Sequence, residues 1–326
     1  MKESRLSWFP FLLGITFATF IIIQVAHKST GQKTEPGKIE NKWPDINLLP
    51  DTEEGDLIRY GRELIVNTST YLGPKGKVAA ITNGMNCQNC HIMAGLKPFA
   101  NSFSAVAATY PRYRDRSGRT ESIEFRINDC LERSLNGKII DSVSKEMKAM
   151  VAYLKWVGKD VKKGEKPTGS GITEIPYLNR AADPKNGKAV FESKCVRCHG
   201  SNGEGVLLVD SSGYMYPPLW GVNSYNVSAG LYRLSRLAAF IKYNMPFDLS
   251  LDSVQLSDEE AWDVAAYISS QSRPEKKFPQ DWPKLETKPP DYPFGPYADH
   301  FSEQQHKYGP FIPVKEEIER IKGAKK

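Results

Sequence analysis

Cys87-Gln88-Asn89-Cys90-His91 and Cys195-Val196-Arg197-Cys198-His199 are two copies of one pentapeptide pattern, and they decide how the rest of the chain is read. Cys-x-x-Cys-His is the spacing that attaches a c-type haem. Two thiols add across the porphyrin vinyl groups, and the adjacent histidine supplies an axial nitrogen to the iron. A single Cys-x-x-Cys also fits a zinc knuckle or a redox disulfide. Histidine directly after the second cysteine, twice, in a chain that opens on an export-type segment, leaves little room for either. The sequence therefore reads as a protein with two covalently bound haem c groups. Cys87, Cys90, Cys195 and Cys198 make the attachments, and His91 and His199 are the first iron ligands.

Each motif sits in the same succession of elements. A helical stretch from about Gly55 (GDLIRYGRELIVNT) leads into the first motif. Helices follow over about 121–135 and 143–157, the latter with apolar positions at Met147, Met150, Val151 and Leu154. Lys185-Asn186-Gly187-Lys188 opens a second such leader into the second motif. A Gly-rich loop with Pro217-Pro218-Leu219-Trp220-Gly221, a helix over about 229–243 and a closing helix from Ser257 complete that half. Glu260, three residues after Ser257, makes a capping box. Helix, haem motif, loops, ligand loop and closing helix are the plan of a class I cytochrome c. The expected fold is all-α, with two such haem domains in tandem at 51–160 and 184–273. A charged, Gly/Pro-rich linker spans 161–183. Residues 274–326, rich in Pro, Tyr and Lys, read as an irregular wrap over the domains ending in a short charged helix.

The chain has 326 residues, a length compatible with two domains. Its formal net charge is +6. Four haem propionates offset much of that, so the balance points to an anionic substrate or partner and not to nucleic acid. Lys2 and Arg5 precede an uncharged run from Leu6 to Ala26. Its length is about the ~20 residues of a membrane span and exceeds a secretory core of roughly 7–15 residues. Residues 1–27 are therefore an uncleaved inner-membrane anchor or a cleaved signal peptide, with 28–50 a tether. Both place the remainder on the extracytoplasmic, periplasmic side, because the positive charges stay cytoplasmic.

Five cysteines occur, and four belong to the motifs. Cys130 has no thiol left to pair with, which in an exported chain needs an explanation. The sixth iron ligands supply one. In the second half the candidate is Met245, in Tyr243-Asn244-Met245-Pro246-Phe247; a thioether there raises the haem potential. Met215 and Lys242 are rivals, and Met245 could also be a core residue. The first half has no Met-Pro loop. Registering the closing helices by Tyr153 and Tyr267 brings Cys130, or the residue after it, to the position of Asn244-Met245. The competing readings are a buried inert thiol at Cys130, with Met147 or Met150 as ligand. A thiolate ligand lowers the potential and favours a catalytic haem over a carrier. Arg126 and Ser134 lie four residues either side of Cys130, on one helix face. A guanidinium there stabilises a thiolate and grips an oxyanion through paired hydrogen bonds. Arg112, Arg114, Arg116, Arg119, Arg133 and Lys138 crowd the same segment and read mostly as a solvated face.

Arg126-Ile127-Asn128-Asp129-Cys130-Leu131-Glu132-Arg133-Ser134-Leu135-Asn136-Gly137 resembles the cysteine-ligand segment of the dihaem c-type thiosulfate dehydrogenases, which also act as tetrathionate reductases. Tyr216-Pro217-Pro218-Leu219-Trp220-Gly221, Asn244-Met245-Pro246 and Gln305-His306-Lys307-Tyr308-Gly309-Pro310-Phe311 are similar to segments of the same family. The likeness runs from about Gly55 to Phe311. It implies His91/Cys130 ligation at a catalytic haem, His199/Met245 ligation at an electron-transfer haem, and substrate contacts from Arg126 and Ser134. It also implies thiosulfate and tetrathionate as substrates, with a periplasmic cytochrome or quinol-linked redox partner. Some members carry Lys before the Met and exchange the two as ligands; Asn244 holds that place here. An anchor-like N-terminus is not a general family feature.

Elementary electrostatics agrees. Two thiosulfate dianions at about 5 Å repel by ~3 kcal/mol even at the dielectric constant of water, so a site that joins them needs cations, and the Cys130 segment supplies them. Two electrons leave while one haem takes one, so a second haem is useful. The competing functions are a non-catalytic dihaem electron carrier and a dihaem peroxidase. The first would carry a Met loop in both halves, and the second needs an open iron beside an acid–base group. His300 and His306 read as surface or tail-packing residues.

Overall fold

Two helix pairs organise the chain, one in each half. The computed structural model describes residues 43–250 and 253–324. In the first half α1 (Glu53–Val66) starts at Thr52, whose hydroxyl accepts from the Gly55 amide at 3.1 Å. Acidic residues fill its first turn, where the helix dipole favours them. α2 (Ile123–Arg133) is capped by Ser122, and α3 (Lys145–Val157) by Ser144. In the second half α4 (Pro184–Lys194) has Asp183 as cap and Pro184 in its first turn, where a missing N–H costs nothing. α5 (Leu234–Asn244) and α6 (Asp258–Ser270) follow, the last with the expected Ser257/Glu260 capping box. The C-terminal extension adds α7 (Glu303–Tyr308) and α8 (Phe311–Ala324).

α1 packs on α3 and α4 on α6, the leader helix of each half against its closing helix. A glycine makes each crossing possible. A Cβ on Gly61 would stand 2.0 Å from the Ala149 carbonyl oxygen, and one on Gly187 1.8 Å from that of Asp263. The same device at matching places shows that the two halves repeat one architecture. Gly187→Ala is expected to lower the stability of the holoprotein by about 1–3 kcal/mol, the usual cost of overpacking. A denaturant titration reads it, and an unchanged midpoint would contradict the crossing. Leu64, Met147, Met150 and Tyr153 fill the first core; Phe191, Trp262, Ala265 and Ile268 fill the second.

The architecture is helical, as expected, with two additions. β1 (Arg112–Arg114) pairs antiparallel with β2 (Arg119–Glu121), and β3 (Val206–Leu207) with β4 (Tyr214–Tyr216). The first hairpin turns at Gly118, φ +64°, a conformation that glycine adopts without strain. Second-half loops lie against the first half. Tyr214 packs with Leu72, Met85, Leu131 and Leu135. The Asn226 amide donates to the Arg133 carbonyl at 3.1 Å, and the Asn244 side chain to that of Phe99 at 3.2 Å.

The structure adds detail to three expectations. The final helix is 14 residues long, not short, and buries Phe311, Val314 and Ile318. The 161–183 linker is docked: Ile175 and Ala182 belong to the second core, because its apolar residues find a face to cover. The end of the 28–50 tether is docked as well, with Trp43, Ile46 and Leu49 against the first core. The anchor or signal at 1–27 lies outside the described residues, among which no helix is long and apolar enough to cross a membrane.

Candidate active site

The first motif is pinned before any cofactor is considered. The Cys87 amide donates to the Thr68 hydroxyl at 3.0 Å and the Ser69 amide to the Asn86 side chain at 2.8 Å. Tyr153 of α3 donates its hydroxyl to the Ala94 carbonyl, just past the motif, at 2.9 Å. His91 Nδ1 lies 2.7 Å from the Asn101 carbonyl oxygen. A carbonyl only accepts, so Nδ1 carries the proton and Nε2 keeps a free lone pair. Burial lowers the His91 pKa to about 4, so the ring is neutral at pH 7. His199 Nδ1 faces the Pro217 carbonyl oxygen at 2.8 Å with the same consequence, and burial lowers its pKa too. An oriented, neutral imidazole with a free Nε2 is what iron ligation requires.

A cavity of about 520 Å³ opens at the first motif. Its walls include Cys87, Cys90, His91, Met150 and, from α2, Arg126, Cys130 and Ser134. The space, the two thiols and the aimed histidine fit a haem c. Arg126, Cys130 and Ser134 come together as the helical spacing predicted, with Ser134 as the C-cap of α2. Met150 also borders the cavity, whereas Met147 is a fully buried core residue.

Several cations read as solvated are not. Arg114 and Arg116 of the β1–β2 hairpin are part-buried and line the same cavity, which Arg112 also borders while staying exposed. The Arg116 side chain is only 12% exposed, and burial followed by repulsion from Arg126 lowers its pKa to about 10. Arg133 is buried outright. What permits this is Asp129. Its Oδ2 meets Arg126 and, at 3.6 Å, Arg116; its Oδ1 meets Arg133. Burial alone would push the Asp129 carboxyl up, but the three guanidinium groups outweigh it and hold it below its usual range. The charge of Cys130, ahead of every other influence, raises the Arg126 pKa. Arg126 therefore lies between the Cys130 sulfur and the Asp129 carboxylate, with 30% of its side chain still exposed. Lys166, Arg233 and Arg236 add positive charge elsewhere on the cavity wall. The arrangement can bind a small polyanion beside a soft sulfur.

In the second half Met245 follows α5 directly and packs against both the second core and the Ile92, Ala100 and Phe240 cluster. Asn244 is fully buried and ties this loop to Phe99 and Phe240. Lys242 is ion-paired to Asp258, and Met215 is 52% exposed on β4. His306 is a packing residue: buried, held by Asp299 at 3.0 Å and stacked on Tyr297 at 3.6 Å.

Comparison with known proteins gives the family. The family model described as SoxA/TsdA, cytochrome c domain, matches residues 77–162, and the one described as Cytochrome c matches 184–272. A thiosulfate dehydrogenase of Psychrobacter arcticus is 39% identical over 256 residues, covering 78% of this chain and 75% of that protein. The chain belongs to the dihaem thiosulfate dehydrogenase family. A second family member, from Allochromatium vinosum, is 37% identical over 244 residues, 74% of this chain and 87% of that protein. Among solved structures, the thiosulfate dehydrogenase TsdBA from Marichromatium purpuratum superposes with a TM-score of 0.66 at 31% identity. It covers 76% of this chain, which spans about half, 51%, of that longer chain. With one cytochrome c domain per half and one Cys-x-x-Cys-His in each, this family member carries two covalently bound c-type haems.

Proposed function

We propose that the protein is a thiosulfate dehydrogenase that also runs in reverse as a tetrathionate reductase, exchanging electrons with an extracytoplasmic cytochrome or quinol-linked partner. One observation carries the reading: Cys130, Arg126, Arg116 and Ser134 share the cavity that holds His91. The names of the relatives support the substrate. In this reading His91 and Cys130 would hold the iron of the catalytic haem, and His199 and Met245 that of the electron-transfer haem. The bound haems supply one-electron acceptors. The chain supplies the rest. Arg126 and Arg116 hold sulfonate oxygens by charge-assisted hydrogen bonds, and Ser134 donates from the end of α2. Asp129 fixes both guanidiniums, so that no reorganisation is needed when charge gathers. Two thiosulfates joined through their outer sulfurs give one tetrathionate and two electrons, and no proton moves. The cations offset the ~3 kcal/mol and more by which the two dianions repel at about 5 Å.

Purified holoprotein offered thiosulfate with an artificial acceptor, or tetrathionate with a reduced mediator, is expected to turn over in both assays. Turnover with hydrogen peroxide in their place would favour the peroxidase reading, and no turnover the carrier reading.

Met245→Gly is expected to lower the potential of the second haem, since a thioether is lost, and to slow electron exit while substrate still binds. Spectroelectrochemistry checks it. Unchanged potentials would remove Met245 as the ligand. The ion pair to Asp258 makes Lys242 a poor substitute.

A further inference from the structure

We propose that Asp281, in the C-terminal extension, is a positioning residue for the anion-binding arginines of the first half, acting through Arg133 and Asp129. The inference rests on the substrate site proposed above. Asp281 receives Arg133 as a fork, Nη1 to Oδ2 at 2.6 Å and Nη2 to Oδ1 at 2.8 Å. The Nε of the same guanidinium donates to Asp129 Oδ1, and Asp129 Oδ2 holds Arg126 and Arg116. The side chains of Arg133, Asp129 and Asp281 are each 6–7% exposed, so water does not screen the chain of contacts. Phe278 carries the Arg133 guanidinium on its ring face at 3.7 Å. The next residues grip the other end. The Trp282 amide donates to the Arg116 carbonyl at 2.6 Å, and Pro283 fills the space beside Gly118 in the hairpin turn. One short segment thus holds the hairpin that carries Arg116 and the ion-pair network that carries Arg126.

Charge accounting shows why Asp281 matters. Asp129 is one carboxylate shared among three guanidiniums. Arg133 does not monopolise it, because Asp281 satisfies the other side of its fork. Without the Asp281 charge, Arg133 would turn both donor edges to Asp129 and draw it away from Arg126 and Arg116. The two substrate-facing cations would then lose the group that orients them.

The test is a double-mutant cycle in the full-length holoprotein, with kcat/KM for thiosulfate, both haem potentials and the thermal midpoint measured on each preparation. Asp281→Asn is expected to lower kcat/KM about tenfold, the scale of a buried network contact, with the spectra and potentials unchanged. Arg126→Gln combined with Asp281→Asn is expected to lose less than the product of the two single losses, because most of the effect passes through Arg126 and only the remainder through Arg116. Additive losses, or an unchanged kcat/KM in Asp281→Asn beside a depressed one in Arg126→Gln, would overturn the relay. Wild-type kcat/KM in Arg126→Gln would instead remove the substrate reading, and the relay with it. Should Asp281→Asn fail to fold, Arg133→Lys keeps the charge but cannot bridge both carboxylates. It should show the same non-additive loss, and full activity there would refute the proposal.

Discussion

Cys130→Met is expected to fold, to bind both haems, and to lose thiosulfate turnover by about 10³-fold or more, the scale seen when a group acting directly on substrate is removed. Cys130 borders the first cavity beside Arg126 and pairs with no other cysteine. A methionine there can still offer a thioether to iron. It cannot offer a negatively charged sulfur, either to the metal or to the outer sulfur of a bound thiosulfate. The exchange also removes the sulfur that, more than any other group, raises the Arg126 pKa, so the guanidinium loses a partner as well. The near-infrared charge-transfer band of a thiolate-ligated haem should vanish in the variant, and a methionine-type band toward the red edge should replace it. Near-wild-type turnover would refute the role of Cys130. A wild-type near-infrared spectrum would show that it is not the ligand and direct attention to Met150, which faces the same cavity.

Arg126→Gln is expected to cut kcat/KM for thiosulfate and for tetrathionate by about one to two powers of ten, the equivalent of a charge-assisted contact of roughly 1.5–3 kcal/mol. Haem spectra should barely change. The structure sharpens the reason. Arg126 is held on one side by Asp129 and biased on the other by Cys130, leaving its exposed edge for a sulfonate. If Arg126 instead served a haem propionate, the substitution would shift the first haem's potential and leave kcat/KM intact. Measuring both on one preparation separates the two roles. Arg116→Gln should produce a smaller loss of the same kind, because its guanidinium is more buried and only one of its contacts, to Asp129 at 3.6 Å, is charged.

What was legible in the sequence is what is local in the chain. The motifs are contiguous, and α2 was expected over 121–135 and runs Ile123–Arg133. The Arg126/Cys130/Ser134 face follows from helical periodicity alone. One further signal of the same kind was available. Arg126, Asp129 and Arg133 stand three and four residues apart, the spacing of helical ion pairs, and that pattern marks Asp129 as the hub of the site. The charge run around it concealed this, because such runs usually face water. The rest depends on distance along the chain. Arg116 reaches the cavity only because a hairpin folds it back. Asp281 meets Arg133 across 148 residues of sequence, and no local pattern in a Pro-rich segment announces a buried carboxylate. The contacts of the linker were hidden for a similar reason. Its composition is that of a tether, yet Ser170, Gly171 and Ile172 line the first cavity, because a space opened by the haem domain needs covering there.

The central claim is that the Cys130 cavity joins two thiosulfates. It is tested most directly by incubating the purified dihaem protein with thiosulfate and ferricyanide and counting both products. The account predicts tetrathionate as the sulfur product, with two ferricyanide ions reduced for each tetrathionate formed. Ferricyanide reduction that yields sulfate or sulfite, or no thiosulfate-dependent reduction by a fully haem-loaded protein, would contradict it.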